Sequence, residues 1–565
     1  YEPIEMKELE PGNRLIDFGQ NLSGLFEIEV EGKTGEIIDI YPAEKIDADG
    51  RIDQKAKGWV EIATYQTYIL RGNGVECWKP KFAYSSGRYL GIKGASLDEK
   101  QTKFPVLHIG RAHFITSASK DIGTFTCDDE RYLQIYDLVL KAIESNLNSV
   151  HTDCPGVERL AWQEINHLMA PSIMYTKDVR QLWNKIFDDI RVEQYTKEDY
   201  VNGADGTHIY FGEGFVSSQA PCYEKMASSV PGIGSFFDVI SWGSTIILGV
   251  YWDYLFYGDK QILRDNYEAG KKYMKYMSTK VNKDGFINHG LGDWGNPEKD
   301  AFARENIETA LYYADLKTLS FFADSLGIEE DKIAYQSEAE IVKANYNDKL
   351  LVQQENGVWC YRAFDHKERI YLTQACEAFP LYWGMVPEDK EADIIKSFAQ
   401  TLEVGFFASG EVGLPYIIQT MKKYGMNQKI TEFMLRMEHP SYYRFVLDGE
   451  TTLPEYWEEN SRSHNHDMLG HIIEWYYNGI AGITPLEPGF SKVEIKPYLP
   501  DSMDRFDCSY ESVQGTIGVN VAILNQHLTI TITVPVGIEA DIILDNLEHR
   551  AAEQQLELKV IMKSA

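Results

Sequence analysis

Residues 305–326 read ENIETALYYADLKTLSFFADSL, and apolar side chains recur in this stretch at three- and four-residue intervals. That spacing collects them on one face and predicts an amphipathic helix. Six further stretches show the same spacing: 130–148, 244–256, 262–277, 330–346, 372–383 and 467–480. With the shorter segments between them, they predict roughly a dozen helices over residues 116–485.

Up-and-down helices of this number commonly close into a double ring of hairpins. We therefore predict an (α/α)6 toroid for residues 116–485, with the loops of one rim forming a funnel. An open solenoid of helical repeats is the alternative arrangement. No repeat of fixed period in the sequence supports that alternative.

The segments on both sides of the helical region alternate apolar and polar residues with period two, which is typical of strands. In the N-terminal segment these are 26–30, 38–41, 65–70 and 89–92, and in the C-terminal segment 492–495, 516–522, 528–534 and 540–544. Short strands with regular turns favour β-sandwiches. The predicted fold is thus a multidomain α and β protein: a β-sandwich at 1–115, the toroid at 116–485 and a small β-sandwich at 486–565.

Composition excludes several function classes. The net charge of −31 makes a nucleic-acid partner improbable, because phosphate binding needs a basic surface. The seven cysteines are scattered without a CxxC pair, which argues against a disulfide framework or a structural zinc site. No apolar run is long enough to cross a membrane. A cytoplasmic or periplasmic location is expected, although the chain opens at Tyr1 without a visible signal.

Aromatic residues make up 13% of the chain, including 35 Tyr and 11 Trp. Aromatic faces stack on the C–H surfaces of sugars, so this abundance suits a glycan enzyme. The alternative is that these side chains fill a large helical core.

The first candidate cluster is the loop TDCPGVER at residues 152–159, followed by Trp162 and Glu164. Asp153 and Glu158 flank its Pro-Gly turn, before a helix that we expect to begin near Leu160. Paired acids beside a tryptophan are what glycoside hydrolysis requires. The alternative is that these acids cap the helix and interact with its dipole.

The second cluster is ETTLPEYWEE at residues 450–459, followed by SHNH at 463–466. Pro454 excludes a helix interior or a central strand, so Glu455 belongs to a loop, where it could activate a water molecule. An acidic surface loop is the alternative. His464 and His466 lack an obvious third metal ligand, so we predict no metal site and expect them to hydrogen-bond sugar hydroxyls.

The third cluster is GLGDWG at residues 290–295. Its glycines permit a tight turn that presents Asp293 and Trp294 together. This pair could bind a sugar, or it could be a turn aspartate beside a packing tryptophan.

The sequence contains no phosphate-binding P-loop, serine nucleophile elbow or zinc-protease motif. Cys154 is followed directly by Pro155 and is not predicted to be a nucleophile.

Short motifs follow one another along most of the chain: DFGQN at 17–21 with Gly24, FTC at 125–127, TDCP at 152–155, ERLAW at 158–162, WGS at 242–244, YGD at 257–259, GDW at 292–294, TTLPEYW at 451–457 with Asn465 and His466, AGI at 481–483 and EPGF at 487–490. In this order they resemble the bacterial α-L-rhamnosidases, glycoside hydrolase family 78. Each motif is weak alone, but the ordered set is specific.

The resemblance implies an inverting hydrolase in which Glu158 is the general acid and Glu455 the general base. Inversion needs about 6.5–9.5 Å between the two carboxyl groups to admit a water molecule. The toroid would have to bring the two glutamates together. The other residues that the resemblance implies in substrate binding are Asp153, Arg159, Trp162, Glu164, Trp242, Asp293, Trp294, Trp457, His464 and His466.

Three positions depart from the family pattern. Val157 stands where family members usually carry an arginine, Ser241 where they often carry a glutamate, and Gly156 where a larger residue is common. Losing an arginine and an acid would alter how the pocket recognises charge.

Two alternatives to a rhamnosidase therefore stay open. One is a lyase that cleaves a rhamnose–glucuronate linkage by β-elimination, with His464, His466, Tyr456 and Arg462 as candidate parts. The other is an inactive glycan-binding homologue. The expected partner is a rhamnose-containing oligosaccharide or glycoside, with no cofactor, nucleic acid or membrane, and a homodimer is left open.

Overall fold

The structure is a computed structural model that describes residues 1–54, 64–101, 103–203, 206–222, 229–230, 234–298, 302–364, 370–459, 461–551 and 554–563. The chain forms two compact units. The first comprises Tyr1–Ala118, Gln134–Leu160 and Arg444–Gly470, and the second comprises Ser119–Leu133, Ala161–Tyr443 and His471–Ala565. The domain boundaries expected from the sequence stay predictions.

Twelve strands lie in the described part of residues 1–151, and all but β10 belong to the first unit. They are β1 Glu5–Glu10, β2 Asn13–Glu31, β3 Ile37–Ala43, β4 Lys45–Ile46, β5 Ile52–Asp53, β6 Gln66–Ile69, β7 Val75–Trp78, β8 Ser85–Lys93, β9 Val106–Phe114, β10 Gly123–Cys127, β11 Leu147–Asn148 and β12 Val150–His151. The predicted strands at 26–30, 38–41 and 89–92 lie inside β2, β3 and β8, and the one at 65–70 corresponds to β6.

The main sheet of the first unit is antiparallel, in the order β1-β2-β8-β3-β6, and β7 and β9 also pair with β2. Alternating residues of β2, such as Phe26, Ile28 and Val30, are fully buried and pack with Ile40 and Leu90. β2 spans 19 residues and contains DFGQN within it. Because this core fixes β2, it also fixes the direction of the polar side chains at residues 20 and 21.

Sixteen α-helices occur in the described ranges. They are α1 Glu130–Asn146, α2 Ile165–Leu168, α3 Ala170–Thr176, α4 Arg180–Glu193, α5 Ile240–Gly243, α6 Thr245–Tyr257, α7 Lys260–Ser278, α8 Arg304–Leu326, α9 Glu329–Leu350, α10 Gln374–Trp383, α11 Glu391–Thr401, α12 Leu414–Lys423, α13 Asn427–Met434, α14 Tyr442–Leu447, α15 Ile472–Trp475 and α16 Glu548–Ala551. The stretch 305–326 is confirmed as α8, which ends where Gly327 adopts a left-handed conformation (φ 76°).

Two predicted helix starts were wrong. The helix expected near Leu160 begins at Ile165, because Arg159 is left-handed (φ 59°) and Trp162 forms a β-bridge with Gln219. The helix expected from residue 467 begins at Ile472. A turn that the amide of Gly470 closes on the carbonyl of Asp467, at 2.8 Å, precedes it.

Thirteen further strands lie in the rest of the described chain. They are β13 Val201–Asn202, β14 His208–Ile209, β15 Ser229–Val230, β16 Gly234–Ser235, β17 Leu351–Gln353, β18 Trp359–Tyr361, β19 Ile483–Pro485, β20 Lys492–Ile495, β21 Arg505–Ser512, β22 Gly515–Leu524, β23 His527–Pro535, β24 Glu539–Ile542 and β25 Gln555–Lys563. The C-terminal ones form a sheet in the order β10-β21-β22-β23-β25 and a smaller sheet β19-β20-β24. β10, which precedes the helices, thus completes a sheet made from the end of the chain.

The observed architecture is a mixed α and β fold of several parts, as predicted from the sequence at this coarse level. None of the helices in the described ranges combines the length and apolar character needed to cross a bilayer.

Candidate active site

The first acidic loop, residues 152–160, is closed by backbone hydrogen bonds within the first unit. The amide of Asp153 donates to the carbonyl of Leu160 at 3.2 Å, and the amide of Arg159 donates to the carbonyl of Cys154 at 3.0 Å. A Cβ on Gly156 would lie 3.0 Å from both Glu44 and Ser86. Such contacts leave little room for a side chain, which explains the glycine at this departure from the family pattern.

The second acidic loop, residues 451–466, folds back on itself in the same unit. The amide of Glu455 donates to the carbonyl of Ser463 at 3.0 Å, and the amide of His466 donates to the carbonyl of Leu453 at 2.8 Å. Inside the loop, the amide of Tyr456 donates to the Ser461 hydroxyl at 2.7 Å. Glu455 is therefore fixed on a closed loop, as Pro454 predicted.

Strand β2 anchors this second loop through Asn21, which is 4% exposed. Its Nδ2 donates to Thr452 Oγ1 at 2.9 Å and to the carbonyl of His464 at 3.1 Å. Its Oδ1 accepts from Ser86 Oγ at 3.2 Å. The motif DFGQN thus contributes an amide that holds the loop carrying Glu455.

Arg462 joins the two predicted catalytic glutamates. Its Nε and Nη2 donate to Oε2 and Oε1 of Glu455 at 3.0 and 2.9 Å, and its Nη1 donates to Oε1 of Glu158. Glu158 and Arg462 are 304 residues apart in the sequence. The fold therefore brings Glu158 and Glu455 to different edges of one planar cation.

The exposure of the three groups is unequal: the side chain of Glu455 is 4% exposed, that of Arg462 13% and that of Glu158 17%. Burial opposes the charge on Arg462, but Glu455 and then Glu158 outweigh it and raise the pKa of the guanidinium. Arg462 is therefore a permanent cation between two carboxylates in a largely water-excluded setting.

Asp153 lies beside this trio and is buried. Its Oδ2 accepts from the Cys154 thiol at 3.1 Å, and its Oδ1 accepts from the amide of Leu160 at 3.2 Å. Burial, and next the charge of Glu158, raise the pKa of Asp153 well above its usual range. The environment thus favours the neutral acid at position 153.

His466 is buried with its Nε2 3.9 Å from Oδ2 of Asp153. Its Nδ1 accepts from the amide of Met468 at 3.3 Å, so the neutral tautomer carries its proton on Nε2. Burial lowers the pKa of His466 to about 4. His466 is therefore a neutral hydrogen-bond donor on the Asp153 side.

The other predicted residues of the first unit are engaged by the protein. His464 Nδ1 lies 3.0 Å from Glu450, which also binds Lys45 at 2.7 Å. The Arg159 guanidinium donates to the carbonyl of Tyr84 at 2.6 Å. Trp457 stacks on Phe445 with ring centroids 6.0 Å apart and is 3% exposed.

In the second unit, three aromatic rings follow one another at close range. Trp162 packs edge-on to Phe236 at 6.2 Å, and Phe236 packs edge-on to Trp294 at 5.4 Å. Trp162 and Trp294 are 132 positions apart in the printed sequence, and Phe236 connects them. Sequence reasoning missed Phe236, because it lies in a segment without a recognisable motif.

Asp293 is fully buried and satisfied by a loop of the second unit. Its oxygens accept from the amides of Gly410 and Gly413 at 3.0 and 2.8 Å, from Ser409 Oγ at 3.0 Å and from Asn296 Nδ2 at 2.8 Å. The amide of Glu411 in turn donates to the carbonyl of Trp294 at 2.9 Å. Asp293 thus shapes the loop that carries Glu411, a buried acid that sequence reasoning missed.

Trp242 and Glu164 are both buried, at 3% and 4% exposure. Beside Trp242, the hydroxyl of Ser241 donates to Glu308 Oε1 at 3.3 Å. Burial raises the pKa of Glu308 to about 7. A carboxyl group from α8 therefore lies next to Ser241, where family members often carry a glutamate.

Within the described ranges, no three His, Cys, Asp or Glu side chains come together in a way that could hold a metal ion.

Comparison with known proteins places these elements in context. Three family descriptions match the chain: a bacterial alpha-L-rhamnosidase 6 hairpin glycosidase domain over residues 120–480, a concanavalin-like domain over 7–110 and a C-terminal domain over 482–559. An alpha-L-rhamnosidase from Formosa agariphila is 26% identical over 97% of this chain and 57% of its own length. The chain thus spans little more than half of that curated relative.

Solved structures agree with this likeness. The alpha-L-rhamnosidase structure from Dictyoglumus thermophilum matches 96% of the chain and 58% of its own length, with 27% identity and a TM-score of 0.83. The Streptomyces avermitilis alpha-L-rhamnosidase complexed with L-rhamnose matches 96% of the chain and 49% of its own length, with 22% identity and a TM-score of 0.79. The latter shows likeness of fold alone.

Proposed function

Because the chain belongs to the bacterial α-L-rhamnosidase family, we propose that it is a glycoside hydrolase that releases terminal α-L-rhamnose from glycans or glycosides. The observation that carries the proposal is the sharing of Arg462 by Glu158 and Glu455. Two carboxyl groups at one locus are the minimum apparatus for glycosidic cleavage by acid and base.

The shared arginine also bears on stereochemistry. Each N–H···O contact adds up to about 3 Å to either side of a planar group that is roughly 2 Å across, so the bonded oxygens of the two glutamates lie at most about 8 Å apart. This upper limit is compatible with the separation of about 6.5–9.5 Å between the two carboxyl groups of inverting enzymes. We therefore expect the first product to be β-L-rhamnose.

The environments of the two glutamates support different roles. Glu455 is the more buried and receives two charge-assisted hydrogen bonds from Arg462, which suits an ionised base that activates water. Glu158 is the more exposed and lies near Asp153, whose own environment favours a proton. We assign Glu158 as the general acid that protonates the leaving oxygen and Glu455 as the general base.

Sugar contacts are proposed from side chains whose chemistry suits hydroxyl groups or the apolar face of a sugar. Neutral Asp153 and His466 can both donate to hydroxyl groups. The rings of Trp162, Phe236 and Trp294 offer an apolar surface suited to a ring face and a methyl group. Arg159, Glu164, Trp242, Trp457 and His464 are retained as candidate substrate-binding residues, and Asp293 is assigned to shaping its loop.

We also propose the finer fold: an (α/α)6 toroid built from the helices of residues 116–485, with β-sandwiches at 1–115 and 486–565. Support comes from the packing of consecutive helices, α6 with α7, α7 with α8 and α8 with α9, and from the six-hairpin description of the matched family. The lyase and non-catalytic alternatives gain no specific support from any observation.

The test is incubation with a chromogenic α-L-rhamnoside and with a rhamnosyl-glucuronate glycan, followed by NMR of the products. Release of β-L-rhamnose as the first anomer, lost in both Glu158→Gln and Glu455→Gln, is the expected result. Formation of an unsaturated uronate would show that the reaction is β-elimination and not hydrolysis. Full rhamnose release by both variants would refute the assigned roles.

A further inference from the structure

A cavity of about 480 Å³ lies inside the second unit, where α3, α6, α12 and α15 meet strands β19 and β20. Its volume falls in the range of roughly 300–1,000 Å³ that small-molecule sites occupy. It is lined from the C-terminal halves of α6 and α12, whereas Trp242 and Glu411 precede the N-terminal ends of these helices. Because a helix rises about 1.5 Å per residue, the cavity lies on the order of 8–16 Å from the N-terminal ends of α6 and α12.

The wall of this cavity is aromatic. Tyr251, Trp252 and Tyr382 line it and are partly exposed, and Tyr175 and Phe256 complete the wall with an edge-to-face contact at 4.9 Å. Partly exposed rings at the opening of a cavity supply an apolar face at low entropic cost to a ligand. Such a wall favours a ligand with at least one flat apolar side.

Opposite charges line the same cavity without direct pairing. Lys422 donates to Thr484 Oγ1 at 3.0 Å, and Glu474, 7% exposed, accepts from Asn478 Nδ2 at 2.8 Å. In the described part of the chain the Lys422 ammonium makes no ion pair, and Glu474 acts on it only through space. A ligand hydroxyl can accept a hydrogen bond from an ammonium group and donate one to a carboxylate, so it can bind Lys422 and Glu474 at the same time.

Two amides add an unused donor and an unused acceptor. Asn478 Nδ2 also donates to Gln419 Oε1 at 3.1 Å, whereas Gln419 Nε2 and Asn478 Oδ1 are buried and find no partner among the described side chains. Buried polar atoms are rarely left unpaired. The terminal torsions of Asn and Gln are soft, so small rotations would turn these atoms toward a hydroxyl in the cavity.

We propose that this cavity is a second ligand site that takes a neutral polyhydroxylated ring, a mono- or disaccharide unit, with Trp252 stacking on its apolar face and Lys422, Glu474, Gln419 and Asn478 binding its hydroxyls. Burial lowers the pKa of Lys422 and raises that of Glu474, so the cavity disfavours full charge on either side. A neutral polyol therefore fits better than a zwitterion. The site is independent of the proposed hydrolysis at Glu158 and Glu455.

The test uses ¹⁹F NMR of the whole chain labelled with 5-fluorotryptophan, with the Trp252 resonance assigned from Trp252→Phe. L-Rhamnose, D-glucose and D-galactose are titrated separately to about 100 mM, which detects Kd values of about 10 mM. We expect at least one sugar to shift the Trp252 resonance in a saturable manner, with the Trp359 resonance unmoved. Kd should rise at least fivefold in both Glu474→Gln and Lys422→Met.

Two comparisons separate this site from the hydrolytic one. The Trp252 shift should persist in Glu158→Gln, and Glu474→Gln should leave rhamnoside turnover unchanged. The proposal is overturned if none of the three sugars shifts Trp252, if the shift is insensitive to both cavity variants, or if glycine saturates the resonance where the sugars do not. Because the readout needs no turnover, failure of the hydrolase proposal would leave this result interpretable.

Discussion

Arg462 donates two hydrogen bonds to Glu455, from Nη2 to Oε1 at 2.9 Å and from Nε to Oε2 at 3.0 Å. This bidentate geometry uses the planar fork that lysine lacks. The third donor of the guanidinium reaches Glu158. The charge balance of both proposed catalytic acids therefore depends on one residue, which leads to the first prediction.

Arg462→Lys and Arg462→Met should each lower kcat on an α-L-rhamnoside by on the order of 100-fold or more. Lysine loses the planar fork that holds both glutamates, and methionine also loses the positive charge. Arg180→Met, which removes a surface ion pair with Asp259, is the control. A wild-type rate in Arg462→Met would contradict the prediction.

As the pH rises above about 4, the usual pKa of an unfolded aspartate, Asp153→Asn should become progressively more stable relative to wild type. The pKa of Asp153 is raised in the folded state, so the unfolded chain releases this proton first and wild-type stability falls above that pH, by about 1.4 kcal/mol per pH unit at most. Urea unfolding at several pH values measures the difference. A gap between the two proteins that stays constant with pH would show that Asp153 is ionised when folded.

Asn21→Ala should reduce the free energy of unfolding by about 2–3 kcal/mol, because Thr452, His464 and Ser86 each lose a buried hydrogen bond. Hydrogen exchange of residues 451–466 should accelerate. The value of kcat should fall, because Glu455, the proposed general base, lies on this loop and is held less firmly. Asn13→Ala, on the same strand with an exposed contact to Glu10, should change neither quantity. Unchanged exchange in the Asn21 variant would mean that the loop is held by other contacts.

Asp293→Ala should lower the free energy of unfolding by about 3–5 kcal/mol, since it leaves the amides of Gly410 and Gly413 without their buried acceptor. Glu158→Gln should abolish activity with less than about 1 kcal/mol of destabilisation. The contrast distinguishes a residue that shapes a loop from one that acts on substrate. Loss of activity at full stability in Asp293→Ala would instead assign it a direct contact with sugar.

The sequence predicted regular elements better than irregular ones. Helix α8 was located to within one residue at its start and ended at Leu326 as expected, because apolar periodicity and a following glycine are local signals. The helix expected near Leu160 was wrong, because the left-handed Arg159 and the bridge from Trp162 to Gln219 depend on tertiary contacts. Local pattern carries no information on either.

For the candidate site, residue types were foreseen but not their partners. Glu158 and Glu455 were named as a pair, whereas Arg462 was considered only for an elimination reaction. Its link to Glu158 spans 304 residues, and no local signal encodes such a contact. Phe236, Glu308 and Glu411 were missed for the same reason. Gly410 and Gly413, on either side of Glu411, are the only local sequence feature that could have pointed to this acid.

The pairing of β10 with β21 has a consequence for how the chain is made. Cys127 lies opposite Phe506 in that sheet, so the early strand leaves the ribosome long before its partner exists. At about 5–20 residues per second, the wait is roughly 20–80 s. Throughout that interval residues 123–127 lack the partner strand that completes their hydrogen bonds in the folded sheet, so this sheet can form only after synthesis of residues 505–512.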